Sequence, residues 1–291
     1  TPLRGISTGF FTTAIAQSSG AITVALIGFV NAGVMTVRQA LGVIYGTNIG
    51  TTITAWLVAI LGFGLKIDLL ALGLLVVGVA LRLSSERRSQ QAIGEAFAGF
   101  GLFFLGLGIL QATLTGLASL TVQSVEPATQ LMHSSAWEVV LLYLGLGLVV
   151  TVLTQSSSAS IALILSAAAG GLLNFEAAAA AVIGANLGST STALLAAVKA
   201  TSNARRLALG HLVFNIITAS VALAILPWLV QLVLLIAGRL ELQAGMASSL
   251  ALFHTFFNLM GVLIMLPMTG LLARWLEKRF RQADEDLARP L

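Results

Sequence analysis

The chain has 291 residues, 57% of them hydrophobic and 9% charged, with a formal net charge of +4 and no cysteine. A soluble domain carries about 25% charged residues, so this composition excludes an ordinary globular protein, and the lack of cysteine excludes disulfides, thiol chemistry and cysteine metal sites. The apolar runs do not alternate in strands of about ten residues as a transmembrane β-barrel requires, and the scattered basic residues point to no nucleic-acid partner; an all-α polytopic membrane protein is the class that remains.

In chain order, the first apolar stretch, 9–31, is interrupted by Gln17-Ser18-Ser19-Gly20, and the second, 40–65, by Gly46-Thr47-Asn48-Ile49-Gly50-Thr51-Thr52. Two further apolar segments follow at about 67–82 and 93–121. Residues 122–138 contain no Lys or Arg and two acids, Glu126 and Glu138. The stretch 139–170 then carries Gln155-Ser156-Ser157-Ser158, and 175–198 carries Gly184 to Thr192. Segments at about 205–238 and 246–276 complete the apolar set. Most of these runs reach or approach the roughly 20 residues that cross about 30 Å of hydrocarbon as helix.

Holding an offset of 138, residues 9–60 match 147–198 at sixteen of fifty-two positions, including Thr13/Thr151, Gln17/Gln155, Ser18/Ser156, Ser19/Ser157, Gly46/Gly184, Asn48/Asn186, Gly50/Gly188 and Thr54/Thr192. The chain therefore contains a duplication. Its expected organisation is a first repeat at 1–66, linking helices at 67–138, a second repeat at 139–199, C-terminal helices at 200–276 and a tail at 277–291.

Basic residues favour the cytoplasmic side. Arg82, Arg87 and Arg88 mark one inner loop, and Lys199, Arg205 and Arg206 another. Arg274, Lys278, Arg279 and Arg281 place the C-terminus inside. The segment around Glu126 belongs outside. An odd number of crossings must then separate 130 from 202, although two apolar stretches lie between them. One stretch must enter and leave on the same side, and 139–170 takes that re-entrant role with Gln155 to Ser158 at its tip. In the first repeat, with Arg4 and Arg38 inside, 9–31 dips in from the cytoplasm. The repeats are expected to be inverted, with re-entrant hairpins and unwound helices, a construction of many secondary transporters.

Amides and hydroxyls in hydrocarbon cost several kcal/mol unless they face protein, water or ligand. At a re-entrant tip, N–H groups freed from helical partners join the serine hydroxyls in a candidate anion site made of Gln17, Ser18, Ser19, Gly20, Gln155, Ser156, Ser157 and Ser158; the bland alternative is helix-to-helix glue. Gly46 to Thr52 and Gly184 to Thr192 suggest unwound carbonyls completed by amide and hydroxyl oxygens, a shell for a hard cation, or else a helix-packing seam. The candidate cation ligands are Thr23, Asn48, Thr51, Thr52, Ser160, Asn186, Ser189 and Thr190. Asp68, Glu95 and Glu176 lie near segment ends, whereas a proton relay needs buried carboxylates or histidines, so sodium is the expected coupling ion and the only metal. His211 and Asn215 recur as His254 and Asn258, each pair on one helical face, either bracing the unwound segments or satisfying one another.

At these residues the chain resembles the type II sodium-phosphate cotransporter family, whose hallmark is a Gln-Ser-Ser-Ser motif in each of two inverted repeats, followed by Gly-x-Asn-x-Gly-[Thr/Ser]-x-x-Thr. Gln155 to Ser158, Gly46 to Thr54 and Gly184 to Thr192 match in full, while Gly20 replaces the third serine of the first repeat. The segment from Ala204-Arg205-Arg206 to Asn215 looks like the family's helix after the second repeat. The helix that usually precedes the first repeat is missing from the sequence, and residues 284–291 look like the start of a linker to a cytoplasmic PhoU-like domain. The resemblance implies phosphate import with more than one sodium ion by alternating access across the plasma membrane, in a bacterium the inner membrane, with no cofactor and no enzymatic step. Rival expectations are a channel, since re-entrant segments also build filters, a transporter of another oxyanion, and an intramembrane serine hydrolase pairing Ser19 or Ser157 with His211 or His254.

Overall fold

The computed structural model describes residues 2–62, 67–124, 137–198, 200–242 and 245–280. Glu126, Lys199, Arg281 and the tail from 281 onward, on which part of the topology expectation rests, lie outside the described residues. Among the described residues there is no strand. The first copy of the duplication forms α1 (Pro2–Ala16), α2 (Ser19–Asn31) and α3 (Val37–Leu57), which ends in a wider π turn, Val58–Gly62. Next come α4 (Ile67–Ser84) and α5 (Arg88–Ser124). The second copy forms α6 (Trp137–Thr154), α7 (Ser157–Ala169), α8 (Phe175–Gly188) and α9 (Thr190–Ala197), and α10 (Ser202–Ala224), α11 (Leu226–Arg239) and α12 (Gly245–Arg279) follow. Among the described residues, six helical segments are long and apolar enough to cross a membrane: Val37–Gly62, Arg88–Ser119, Trp137–Thr154, Phe175–Ala197, Ser202–Ala224 and Gly245–Arg279. The chain is an all-α polytopic membrane protein.

The two copies use the same local signals. Gln17 and Gln155 both take φ 52°, a left-handed conformation that ends α1 and α6. Ser18 and Ser156 then cap α2 and α7, each side chain accepting from the N–H three residues on, of Ala21 and Ala159, at 3.2 Å. At the far ends, Gly33 (φ 69°) and Gly171 (φ 83°) close α2 and α7. The N–H groups of Val34 and Leu172 reach back to Phe29 and Ala167 carbonyls at 3.0 and 2.9 Å, the Schellman pattern. Thr36 and Asn174 cap α3 and α8. In the C-terminal half, the apolar run 205–238 is two helices, because Pro227 cannot continue α10 and is instead placed in the first turn of α11.

The unwinding expected at Gly46–Thr52 and Gly184–Thr192 does not occur. Helix α3 runs unbroken from Val37 to Leu57. Helix α8 is interrupted only at Ser189, which itself keeps near-helical angles of φ −60° and ψ −21°. Packing explains the glycines instead. A Cβ on Gly46 would overlap the Ile6 carbonyl of α1, and one on Gly9 the Val43 carbonyl of α3. In the second copy, Gly184 meets Leu144 of α6 and Gly147 meets Ala181 of α8 in the same way. One turn further on, Cβ atoms on Gly50 and Gly188 would lie 2.8 and 2.7 Å from the Phe10 and Leu148 carbonyls. These glycines let α1 lie against α3, and α6 against α8, backbone to backbone.

Side chains tie the chain together at two ends of the molecule. At one end, the Thr201 hydroxyl bonds the Asn31 side chain at the foot of α2. Arg206 is buried there and donates to Asn203 Oδ1 at 2.7 Å and to the Glu277 and Phe280 carbonyls at the end of α12. The Arg38 guanidinium lies about 4 Å from where a Cβ on Gly270 would stand. At the other end, Gln111 Nε2 donates to the Gly62 carbonyl at 3.1 Å, and a Cβ on Gly170 would lie 3.4 Å from Thr115. The 26 residues of Val37–Gly62 join these ends, a distance of roughly 39 Å at about 1.5 Å per residue. Helix α2 thus runs from its break towards the first end, and α7 from its break towards the second.

The close helix contacts predict that Gly46→Ala and Gly184→Ala destabilise the protein by about 1 to 3 kcal/mol through overpacking. Gly28→Ala and Gly145→Ala, where a Cβ meets nothing within 4 Å, should be neutral or stabilising, since alanine is the better helix former by about 1 kcal/mol. Thermal unfolding of the four purified variants separates the classes; equal midpoints would show that the close approach is dispensable.

Candidate functional site

The two helix breaks meet. Between them lies a cavity of about 40 Å³ lined by both four-residue clusters, Gln17–Gly20 and Gln155–Ser158, together with Ser189 and Thr192. Since a water needs about 10 to 15 Å³ on this measure, the space suits a few waters or one small ion. All eight candidate anion residues are therefore at one place, although 138 positions separate the clusters.

Each break is held by its glutamine. Gln17 Nε2 donates to the Ala14 carbonyl at 2.5 Å and Gln155 Nε2 to the Val152 carbonyl at 2.6 Å, so each amide covers an end of the preceding helix. The amide oxygens accept from Thr54 Oγ1 at 2.8 Å and Thr192 Oγ1 at 3.0 Å. Because Ser18 and Ser156 occupy the N–H groups of Ala21 and Ala159, the N–H groups of Ser19, Gly20, Ser157 and Ser158 remain as first-turn donors without intrahelical partners. They belong to residues lining the cavity, and each helix start carries about half a unit of positive charge. Among the described residues, no Lys, Arg or His lines the space.

The copies differ where they touch. Ser158 Oγ stands 3.4 Å from Thr54 Oγ1 and 3.4 Å from the Gln17 carbonyl, across the boundary between the copies. Its counterpart Gly20 offers no hydroxyl and packs against Thr192, whose Cγ2 would lie 3.4 Å from an added Cβ. Gln155 Nε2 finds its additional partner within its own copy, Ser191 Oγ at 3.1 Å; the first copy has Ile53 at that position.

Of the candidate cation ligands, only Ser189 lines the cavity. Thr23, Thr51, Thr52, Ser160, Ser189 and Thr190 donate their hydroxyl hydrogens to carbonyls three or four residues earlier in the chain at 2.6 to 3.1 Å, which leaves their oxygens as acceptors. Asn48 bonds the Ile44 carbonyl at 3.0 Å. Asn186 donates to Asn215 Oδ1 at 3.0 Å, and Asn215 reaches the Asn186 carbonyl at 3.4 Å, so Asn215 braces α8 from α10. Asn258 bonds only the His254 carbonyl of its own helix, at 2.9 Å. His211 and His254 are buried and their ring nitrogens have no hydrogen-bond partner. Of the two readings of the His/Asn pairs, contact with a motif helix is seen at Asn215, and no histidine of either pair bonds its asparagine side chain; neither histidine pairs with Ser19 or Ser157 as a serine nucleophile would need. Thr54 and Thr192 are the site residues to which the sequence analysis assigned no role. Their signal was available, since they end the repeated Gly-x-Asn-x-Gly motif.

Compared with known proteins, the chain matches the Na+/Pi-cotransporter family over residues 1–112 and 115–266. It is 32% identical over 283 residues to the uncharacterized protein YqeW of Bacillus subtilis, covering 94% of this chain and 83% of that one. It is 33% identical over 282 residues to YjbB of Escherichia coli, whose name proposes inorganic phosphate export; the match covers 95% of this chain and 48% of YjbB, so the chain spans about half the length of that relative. A shorter match, 40% identical over 63 residues, relates 22% of the chain to 9% of the human sodium-dependent phosphate transport protein 2B. No solved structure matches the chain.

The break geometry predicts opposite outcomes for two substitutions of Gln155. Gln155→Gly keeps a residue at ease with φ 52° and removes only the amide bridges, a loss of about 1 kcal/mol per hydrogen bond. Gln155→Val forces a β-branched residue into the left-handed region and should lower the unfolding midpoint well beyond the glycine variant. Equal midpoints would mean that the turn is not set by this residue.

Proposed function

The chain belongs to the Na+/Pi-cotransporter family, and on that premise we propose that it is a secondary transporter importing inorganic phosphate together with sodium. One observation carries the proposal: two helix N-termini from the two copies converge on one small cavity whose lining offers backbone N–H and hydroxyl donors and, among the described residues, no basic side chain. Such donors suit a tetrahedral oxyanion. They are not enough for a divalent one, because a helix end contributes about 0.3 to 2 kcal/mol while burying an ion costs several kcal/mol even after relaxation. Bound cations offset that difference, and the acceptor oxygens beside the cavity are suited to sodium. Ser189 and Thr192, which line the same cavity as the tips, would put a sodium ion next to the anion. Asn48, Asn186 and the hydroxyls of Thr51, Thr52 and Thr190 are the wider candidate set.

Inverted topology is supported by the opposite courses of α2 and α7 away from their breaks, and by the gathering of Arg38 and Arg206 with the end of α12 at one end of the molecule. With that basic end cytoplasmic, each hairpin enters from its own side and the tips meet near the midplane, as alternating access needs. The C-terminus would then face the cytoplasm, and in a bacterium the membrane would be the inner one. The comparisons do not support the PhoU-like partner suggested by the tail, and the proposal does without it.

Export is a second direction, favoured by the name of YjbB. A symporter runs with the combined gradient of its ligands, so an inward sodium gradient drives import and its reversal drives release. Labelled phosphate uptake into proteoliposomes tests this. Uphill, saturable uptake that needs an inward sodium gradient and resists sulfate competition is expected; gradient-independent, non-saturating flux would make the protein a channel.

In the same assay Ser157→Ala should weaken apparent phosphate affinity about ten- to a hundredfold, the loss of one hydrogen bond to a charged group at roughly 1.5 to 3 kcal/mol. An unchanged affinity would return the serine to helix packing. Asn186→Ala should first shift the sodium dependence of uptake, with phosphate affinity following because the two ligands favour one another's binding. A phosphate defect that persists unchanged at saturating sodium would place Asn186 with the anion instead.

A further inference from the structure

The duplicated helices α2 and α7 lead away from the tips in opposite directions, yet the rest of the molecule holds them unequally. Of the thirteen residues in each, four are buried in α2 (Thr23, Leu26, Ile27 and Val30) and eight in α7. Helix α7 is enclosed by α3, α5, α6, α8 and α12, whereas α2 packs chiefly on α3, α9 and α10 and leaves Val24, Gly28 and Phe29 exposed. A helix with few buried contacts opens at low cost.

The side on which α2 does pack is a seam leading out of the tip cavity. At its inner end Gly20 lies against Thr192, and both residues line the cavity. Along it, Leu26, Ile27 and Val30 share one apolar cluster with Ala193 and Ala197 of α9. At its outer end the Thr201 hydroxyl bonds the Asn31 side chain, which joins the last residue of α2 to the cap of α10. Both residues are exposed, and a neutral hydrogen bond within reach of water contributes little net stability, so it can open and close. The second copy has no such bond. Ala169 stands where the first copy has Asn31, and the foot of α7 is held by packing, with a Cβ on Gly170 lying 3.4 Å from Thr115 of α5.

We propose that α2 is a gate between the tip cavity and the end of the molecule that carries Arg206, and that the bond between Asn31 and Thr201 is its latch. The proposal rests on the tip cavity being the phosphate site and adds the route by which a ligand passes to and from it. With the latch broken, α2 parts from α9 along the alanines, where no large side chain of α9 interlocks with it. The turn at Gln17 is the hinge, because the Gln17 amide is fastened to Ala14 and Thr54 and not to α2. Helix α1 stays in place, since its glycine contacts are with α3.

The chain contains no cysteine, so introduced thiols report without background. The first test uses the full chain in lipid nanodiscs, with Ala197→Cys in the seam and a membrane-impermeant methanethiosulfonate as probe. Asn31→Ala should speed labelling at least fivefold, and Asn31→Asp, which keeps the acceptor, should stay within twofold of the parent. In proteoliposomes, Asn31→Cys with Thr201→Cys, joined by a short bis-methanethiosulfonate, should slow phosphate uptake at least tenfold and recover on reduction. Labelling that Asn31→Ala leaves unchanged, or uptake that survives the cross-link, would overturn the gate. Calorimetry with inorganic phosphate on the same proteins separates the two levels. A cross-linked protein that binds phosphate without carrying it upholds both. Faster labelling of the Asn31→Ala variant, in a protein that binds no phosphate, would uphold the gate and sink phosphate transport.

Discussion

A helix that stops inside an apolar protein leaves carbonyls at one end and N–H groups at the other without partners, and in hydrocarbon each costs several kcal/mol. This chain meets that constraint twice with the same three side chains. A glutamine at φ 52° turns the backbone and covers a carbonyl of the helix it ends. The following serine caps the next helix. A threonine thirty-seven residues on holds the glutamine amide in place. After these bonds are made, what remains uncovered is a small set of N–H donors, and they lie around the cavity where the tips meet. Those donors are what an almost complete satisfaction of the polar groups at the two breaks leaves over.

That geometry depends on how closely the supporting helices approach. Gly9 and Gly46 in one copy, and Gly147 and Gly184 in the other, remove the side chains that would otherwise separate α1 from α3 and α6 from α8. Close backbone approach is a common solution where lipid supplies no hydrophobic drive between helices. It brings the C-terminal end of each first helix to the polar turn of its partner, so that Thr54 and Thr192 can reach Gln17 and Gln155. Helix α10 then braces α8 through Asn215 and Asn186, while buried Arg206 secures α10 to the last turn of α12.

The copies are not interchangeable at their meeting point. Ser158 ties the first tip to the second copy, through Thr54 and the Gln17 carbonyl. The second tip is tied within its own copy, through Ser191. The Ser158 contacts and the packing of Gly20 on Thr192 cross between the copies, whereas the bonds among Gln155, Thr192 and Ser191 lie within one copy. Gly20, which removes a hydroxyl from the first cluster, is the other side of this divergence.

The sequence by itself determined the class, the duplication and the polar clusters, because charge content, apolar run length and an offset repeat are properties of a linear chain. It also determined the family resemblance, since Gln155 to Ser158 and the two Gly-x-Asn-x-Gly stretches carry it. It left the glycines between unwinding and helix packing, because a glycine that permits unwinding and one that permits contact look the same until the neighbouring helix is in place. It gave no role to Thr54 and Thr192, whose partners lie 37 residues away, and it left His211 and His254 between bracing and mutual satisfaction, where the contact across helices is made by Asn215. Only the tertiary structure decided that the two clusters share one cavity, because the meeting of residues 138 positions apart follows from the packing of α1 on α3, α6 on α8 and both pairs against α10 and α12, which no local pattern encodes.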